Sequence, residues 1–183
     1  DDYLMFGFFK KAFSGQRETA THRPEQVMRN DTAPGTELRY DAKLIDRFTG
    51  QHAELAEEIQ RVKRFLVARD YPATLESLRA FKVMLQQHLL EENLRFYTYL
   101  THCLIDDSEG RELMNDMRIE MGEIGRLLTR FIKYYLEFGI NESNADTFDA
   151  ELTNITHALA DRIAREEKSL YTLYMPPSAI SRR

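Results

Sequence analysis

The sequence predicts an all-α protein: an up-down-up-down four-helix bundle preceded by an amphipathic N-terminal segment. Three observations carry that expectation. From about residue 39 to residue 174, apolar residues recur at steps of three and four, the spacing of one helix face. Three clusters of turn-forming residues interrupt the pattern: Asp70-Tyr71-Pro72, Asp106 through Gly110, and Gly139 through Asp146. The connections they leave are short, and short connections make successive helices antiparallel neighbours. Only eight Gly and five Pro occur in 183 residues, which suits long uninterrupted helices.

In chain order, residues 1–14 contain YLMFGFFKKAF, an aromatic amphipathic segment too short for a secretion signal. Docking on the bundle or on a second copy is the preferred reading, with homo-oligomerisation through residues 3–13. Membrane contact through Lys10 and Lys11 beside Phe8, Phe9 and Phe13 is the weaker one. Residues 15–38 are polar, broken by Pro and Gly, and read as a linker. Residues 39–175 hold the four helices, and residues 176–183 are a tail begun by Pro176 and Pro177.

The helical seams are explicit. The first carries Ile45, Phe48, His52, Leu55, Ile59, Val62 and Leu66. The second carries Leu78, Phe81, Leu85, His88, Glu92, Phe96 and Tyr99. The third runs Met114, Met117, Met121, Ile124, Leu128, Phe131, Tyr135 and Phe138, and the fourth Phe148, Leu152, Ile155, Leu159, Arg162, Glu166, Leu170 and Leu173. His52, His88, Glu92, Arg162 and Glu166 stand where apolar residues belong. Burying such groups costs several kcal/mol each, roughly, unless they are paired or bind a metal. Their distances from the turns, at about 1.5 Å of rise per residue, bring all five and Met121 to one level. His88-x-x-x-Glu92 puts both side chains on one helix face, and two imidazoles with two carboxylates suit iron, manganese or zinc.

Composition removes other classes. A net charge of -5 argues against general nucleic-acid binding. Cys103 is the single cysteine, so an intramolecular disulfide and a cysteine-based zinc site are excluded, and a reducing cytoplasm is the expected compartment. No stretch is long and apolar enough to span a bilayer. A Gly-rich phosphate loop, a nucleophile elbow and a zinc-protease motif are all missing, so no enzymatic activity is expected.

The stretches LIDRFTGQHAEL, QQHLLEENLRFYTYL, RIEMGEIGRLL and ALADRIAREEKSLY resemble the hemerythrin-like, HHE cation-binding domain over roughly residues 40–174. That family has His on the first helix, His-x-x-x-Glu on the second, His on the third and His-x-x-x-Glu on the fourth. His52, His88, Glu92 and Glu166 match the pattern, while Met121 and Arg162 stand where the third and fourth helices should offer His. The resemblance implies a single-metal half-site at His52, His88, Glu92 and Glu166, holding one iron or other divalent metal. The Arg162 guanidinium then replaces the second cation by bridging Glu92 and Glu166. A metal-free polar network that fixes helix register is an equal reading, and a full di-iron centre a lesser one. Glu120, Glu123, His157 with Asp161, His102 and His22 read as surface or linker residues, Cys103 as packed, and Tyr97, Tyr134 and Tyr171 as exposed partner contacts. AKLIDRF and ALADRIAREEKSL are also similar to the bacterial Rsd/AlgQ family of sigma-factor regulators. The leading expectation is therefore a non-enzymatic regulatory protein binding a protein partner, such as a sigma factor or RNA polymerase. An iron-bound sensor or carrier of oxygen, nitric oxide or redox state is the alternative.

Overall fold

A computed structural model of the chain describes residues 31–180. The amphipathic segment, the linker through residue 30 with His22, and the oligomer contact assigned to residues 3–13 lie outside the described residues. Among the described residues six α-helices occur in order: α1 (Leu44–Val67), α2 (Tyr71–Glu91), α3 (Thr98–Cys103), α4 (Ser108–Phe138), α5 (Ala145–Arg165) and α6 (Pro177–Ile180). The π turn Glu92–Tyr97 joins α2 to α3, and a second π turn, Glu166–Leu170, extends α5. The result is four antiparallel rods, packed so that α1 meets α2, α2 meets α4, α4 meets α5 and α5 returns to α1. No β-strand occurs among the described residues, only one isolated bridge, Thr32 to Arg39.

The breaks fall where the turn chemistry puts them. Asp70 caps α2 by accepting a 3.1 Å hydrogen bond from the Ala73 amide, with Pro72 in the first turn. Asp107 caps α4 through the Gly110 amide at 2.8 Å. Gly110 is required there, since an added Cβ would lie 2.7 Å from Asp107 Oδ2. Gly139, at φ +78, ends α4 in a backbone conformation that suits glycine.

The core is two apolar clusters. One packs Leu55, Ile59, Leu78, Phe81, Leu128 and Phe148 with their neighbours. The other packs Phe48, Phe96, Tyr99, Leu100, Met117 and Leu170. Each rod crosses from one cluster to the other, and at the crossing three of the four carry polar residues while α4 carries Met121. The side chains that interrupt the seams thus form the layer between the two clusters.

Several details differ from the sequence reading. Leu44, not Ile45, is the first buried residue of α1, and Phe138 is 65% exposed at the end of α4. Residues 31–38, assigned to the linker, fold as a turn that buries Ala33, and Tyr40 stacks on Tyr174 with centroids 5.0 Å apart. Tyr97 and Tyr171 are buried, because the π turns rotate them inward. Only Tyr134 of that group is exposed.

Candidate metal centre

His52, His88, Glu92, Arg162 and Glu166 are all at most 4% exposed and meet in one layer. Met121 is half-buried at its edge. The two π turns start at the two carboxylates, Glu92 and Glu166. An extra residue in a helical turn re-aims the side chains after it, and such turns occur often at functional sites.

The α1–α2 side of the layer is built from histidine. His52 Nε2 lies 3.2 Å from His88 Nε2. His52 Nδ1 is 2.8 Å from Glu167 Oε1, and His88 Nδ1 is 2.8 Å from Gln51 Oε1. A carboxylate only accepts, so His52 donates from Nδ1. Gln51 spends its amide NH₂ on Glu91 Oε2 at 3.0 Å, so its oxygen faces His88, which also donates from Nδ1. Both Nε2 atoms then face each other, an arrangement that a shared proton or a cation would satisfy. Burial, and then the neighbouring His52, push the His88 pKa down to about 3, so His88 stays neutral. Tyr171 stacks on His52 with its ring plane tilted by only 7°.

The α4–α5 side is built on a guanidinium. Arg162 is 1% exposed, approaches Glu166 Oε2 at 3.1 Å and donates to Glu166 Oε1 at 3.2 Å. It also donates to the Tyr97 hydroxyl at 2.8 Å and to the Met117 carbonyl at 3.4 Å. The expected bridge from Arg162 to both carboxylates is therefore replaced by one to Glu166 and Tyr97. Burial, then the Glu166 carboxyl beside it, push the Glu92 pKa well above its ordinary value. Burial works the other way on Glu166 from its neighbours, but the Glu92 hydrogen bond, Arg162 and His52 outweigh it and hold Glu166 below the usual range. Glu92 thus favours its protonated form and Glu166 its ionised one, with Glu92 Oε1 buried and unpartnered among the described residues.

Metal-bound histidine characteristically donates its other ring N–H to a carboxylate or carbonyl, as Glu167 and Gln51 accept here. Two nitrogens on one ion, each about 2.0–2.1 Å from it, stand roughly 3 Å apart, and the imidazole pair has that spacing. The donor set fits one cation on the α1–α2 side. Glu166 Oε2, at 3.9 Å from His52 Nε2, is turned toward Arg162. No group of three or more His, Cys, Asp or Glu is drawn together as a metal cage among the described residues. The α4–α5 side offers no such set.

Residues set aside on sequence stay apart from the layer. Glu120 pairs with Arg165 on the surface, and Glu123, His157 and Asp161 are exposed. His102 is half-buried, and Cys103 is buried. Gln51, Glu167 and Tyr97 were missed. For the first two the available signal was adjacency, since each neighbours a layer residue in the chain.

Residues 43–174 match the model of the family described as "Hemerythrin HHE cation binding domain". The Macaca fascicularis protein "Terminal nucleotidyltransferase 5C" is 33% identical over 101 residues, covering 52% of this chain and 24% of that protein. The Homo sapiens protein of the same name gives the same figures, and the Rattus norvegicus one is 32% identical. The chain spans about a quarter of the length of these curated relatives. No solved structure matches it.

Proposed function

The chain belongs to the hemerythrin HHE cation-binding domain family, and on that premise we propose that it is a non-enzymatic regulatory bundle that holds one divalent cation, iron first among the candidates, between His52 and His88. The observation that carries this is the facing Nε2 pair at 3.2 Å, each ring held from behind by an acceptor on Nδ1. Glu166 and Glu92 are the carboxylates within reach. Arg162 serves as the permanent second cation, neutralising Glu166 without metal. A bound iron would supply an open position for a small ligand such as oxygen or nitric oxide, or a change of redox state. The chain's own part is to fix both imidazoles, exclude water and keep a proton on Glu92.

Metal content of untagged protein, measured by mass spectrometry beside His88→Ala, tests this. Near one metal per chain, lost in the variant, is the expected result. Metal-free protein after purification and after incubation with ferrous iron overturns the metal reading and leaves the network as a structural device.

A second reading, binding of a protein partner, is favoured by an exposed apolar face on α2 and α4. The narrower proposal of a sigma factor rests on AKLIDRF and ALADRIAREEKSL alone, and co-purification with a sigma factor tests it.

A further inference from the structure

Between α2 and α4 the bundle opens into a groove of about 1040 Å³. Leu85, Leu89, Met121, Leu128 and Ile132 supply its apolar wall. Glu92 and Tyr97 lie at its floor, where they join the polar layer. Gly122 and Gly125 face it from α4, and a Cβ added at Gly125 meets nothing within 4 Å. Glycine inside a helix costs roughly 1 kcal/mol relative to alanine, so the openness is maintained against local preference.

Two further observations concern what covers it. Seven of the nine large exposed hydrophobic residues among those described lie on α2, its π turn and α4. Val83, Leu90 and Leu94 each follow a groove-lining residue of the α2 rod by one position, and Ile119 so follows Arg118 on α4. Leu127 lines the groove itself and is 50% exposed. Leu127 thus puts a half-exposed apolar side chain at the groove itself, which a small molecule held deep in it would leave wet. The second observation is charge. Lys82, Arg118, Arg126 and Arg130 line the groove, and none makes an ion pair among the described residues, although the chain as a whole carries -5. Arg118 rests instead over the Tyr97 ring at 5.8 Å.

We propose that the α2–α4 groove is a docking site for an amphipathic helix of a partner protein, its apolar face in the groove and acidic side chains at its edges. The groove is walled by residues 82–97 on one side and 118–132 on the other, about 20 Å at 1.5 Å per residue, which is close to four helical turns. Leucines at i, i+3, i+4 and i+7 suit such a trough, and glutamates beside them meet the unpaired cations. The inference rests on the partner-binding reading and is independent of the metal.

The test uses a labelled 18-residue helical peptide with that leucine spacing and glutamate elsewhere, beside its lysine counterpart, read by fluorescence anisotropy on the full chain. Saturable binding of the acidic peptide alone is expected. Gly125→Leu, which fills the groove and raises helix preference, should weaken it at least tenfold without lowering Tm. The pair Arg126→Glu and Arg130→Glu should do the same by charge. Equal binding of both peptides, no binding of either, or acidic-peptide binding that survives Gly125→Leu overturns the groove assignment. In the last case the partner reading stands and its site lies elsewhere.

Discussion

The two halves of the polar layer sit at one depth in one bundle, yet they solve the problem of buried charge differently. On the α1–α2 side, two imidazoles face each other through Nε2 and are braced from behind by Glu167 and Gln51. On the α4–α5 side, Arg162 brings its own charge, pairs with Glu166 and bonds Tyr97 and Met117. The first arrangement is incomplete without a proton or cation. The second carries its own cation, although Glu92 Oε1 and Arg162 Nη1 are left without a hydrogen bond. A buried guanidinium can therefore take, on one side of a polar layer, the charge position that a bound cation would take on the other.

The comparison breaks most visibly if the second half can be turned into the first. Met121→His combined with Arg162→His restores histidine where the family pattern has it. Metal per chain, by mass spectrometry, should rise from about one to about two. A value that stays at one would mean that more than these two residues separates the halves.

Removing the built-in cation without replacing it comes next. Arg162→Leu leaves Glu166 buried and unpaired and strips the Tyr97 hydroxyl of its donor. Breaking one partner out of a buried pair typically costs about 3–5 kcal/mol. Urea unfolding should show a loss of that size, reduced by added metal if the cation can shift toward Glu166. A loss under about 1 kcal/mol would show that the guanidinium is not what holds the carboxylates.

The halves also differ in pH response. His88 has a folded pKa of about 3 against an ordinary 6.5, so the unfolded chain binds the extra proton between those values. Stability of the metal-free protein therefore falls as pH drops below 6.5, by about 1.4 kcal/mol per unit at most. Glu166, held low, adds to the acid loss below its ordinary 4.5. Glu92, held high, acts oppositely: its contribution is complete below 4.5 and is lost as pH rises through its folded pKa. His88→Gln should flatten the acid limb, and Glu92→Gln the alkaline limb, of stability measured by urea midpoint against pH.

Much of this was legible in the sequence. Apolar residues at helical steps, with Asp70, Asp107 and Gly139 at the breaks, set the rods and their order, because those signals are local. The layer was legible because five polar residues on apolar seams are conspicuous at a shared depth. What the sequence hid depended on rotation within a turn. Tyr97 reads as exposed until the π turn beginning at Glu92 moves it beneath Arg162. No periodic pattern announces a single extra residue in a helical turn. The α2–α4 groove is equally silent, since Gly122 and Gly125 record only missing side chains.

The smallest effect isolates burial from chemistry. Arg165 and Glu120 form a second arginine–carboxylate pair, linking α5 to α4 on the surface one turn from Arg162, whereas Arg162 and Glu166 pair within one rod. Its side chains are 52% and 36% exposed, against 1% and 4% for Arg162 and Glu166. Water already solvates both partners there, so Glu120→Ala should cost no more than about 1 kcal/mol and shrink further in salt. It should also leave metal content unchanged, because Glu120 faces away from the imidazoles. A cost matching that of Arg162→Leu would remove depth in the bundle as the cause of the contrast. A small cost with metal retained assigns the contrast to the water-free layer, where an unpaired charge has nothing else to turn to.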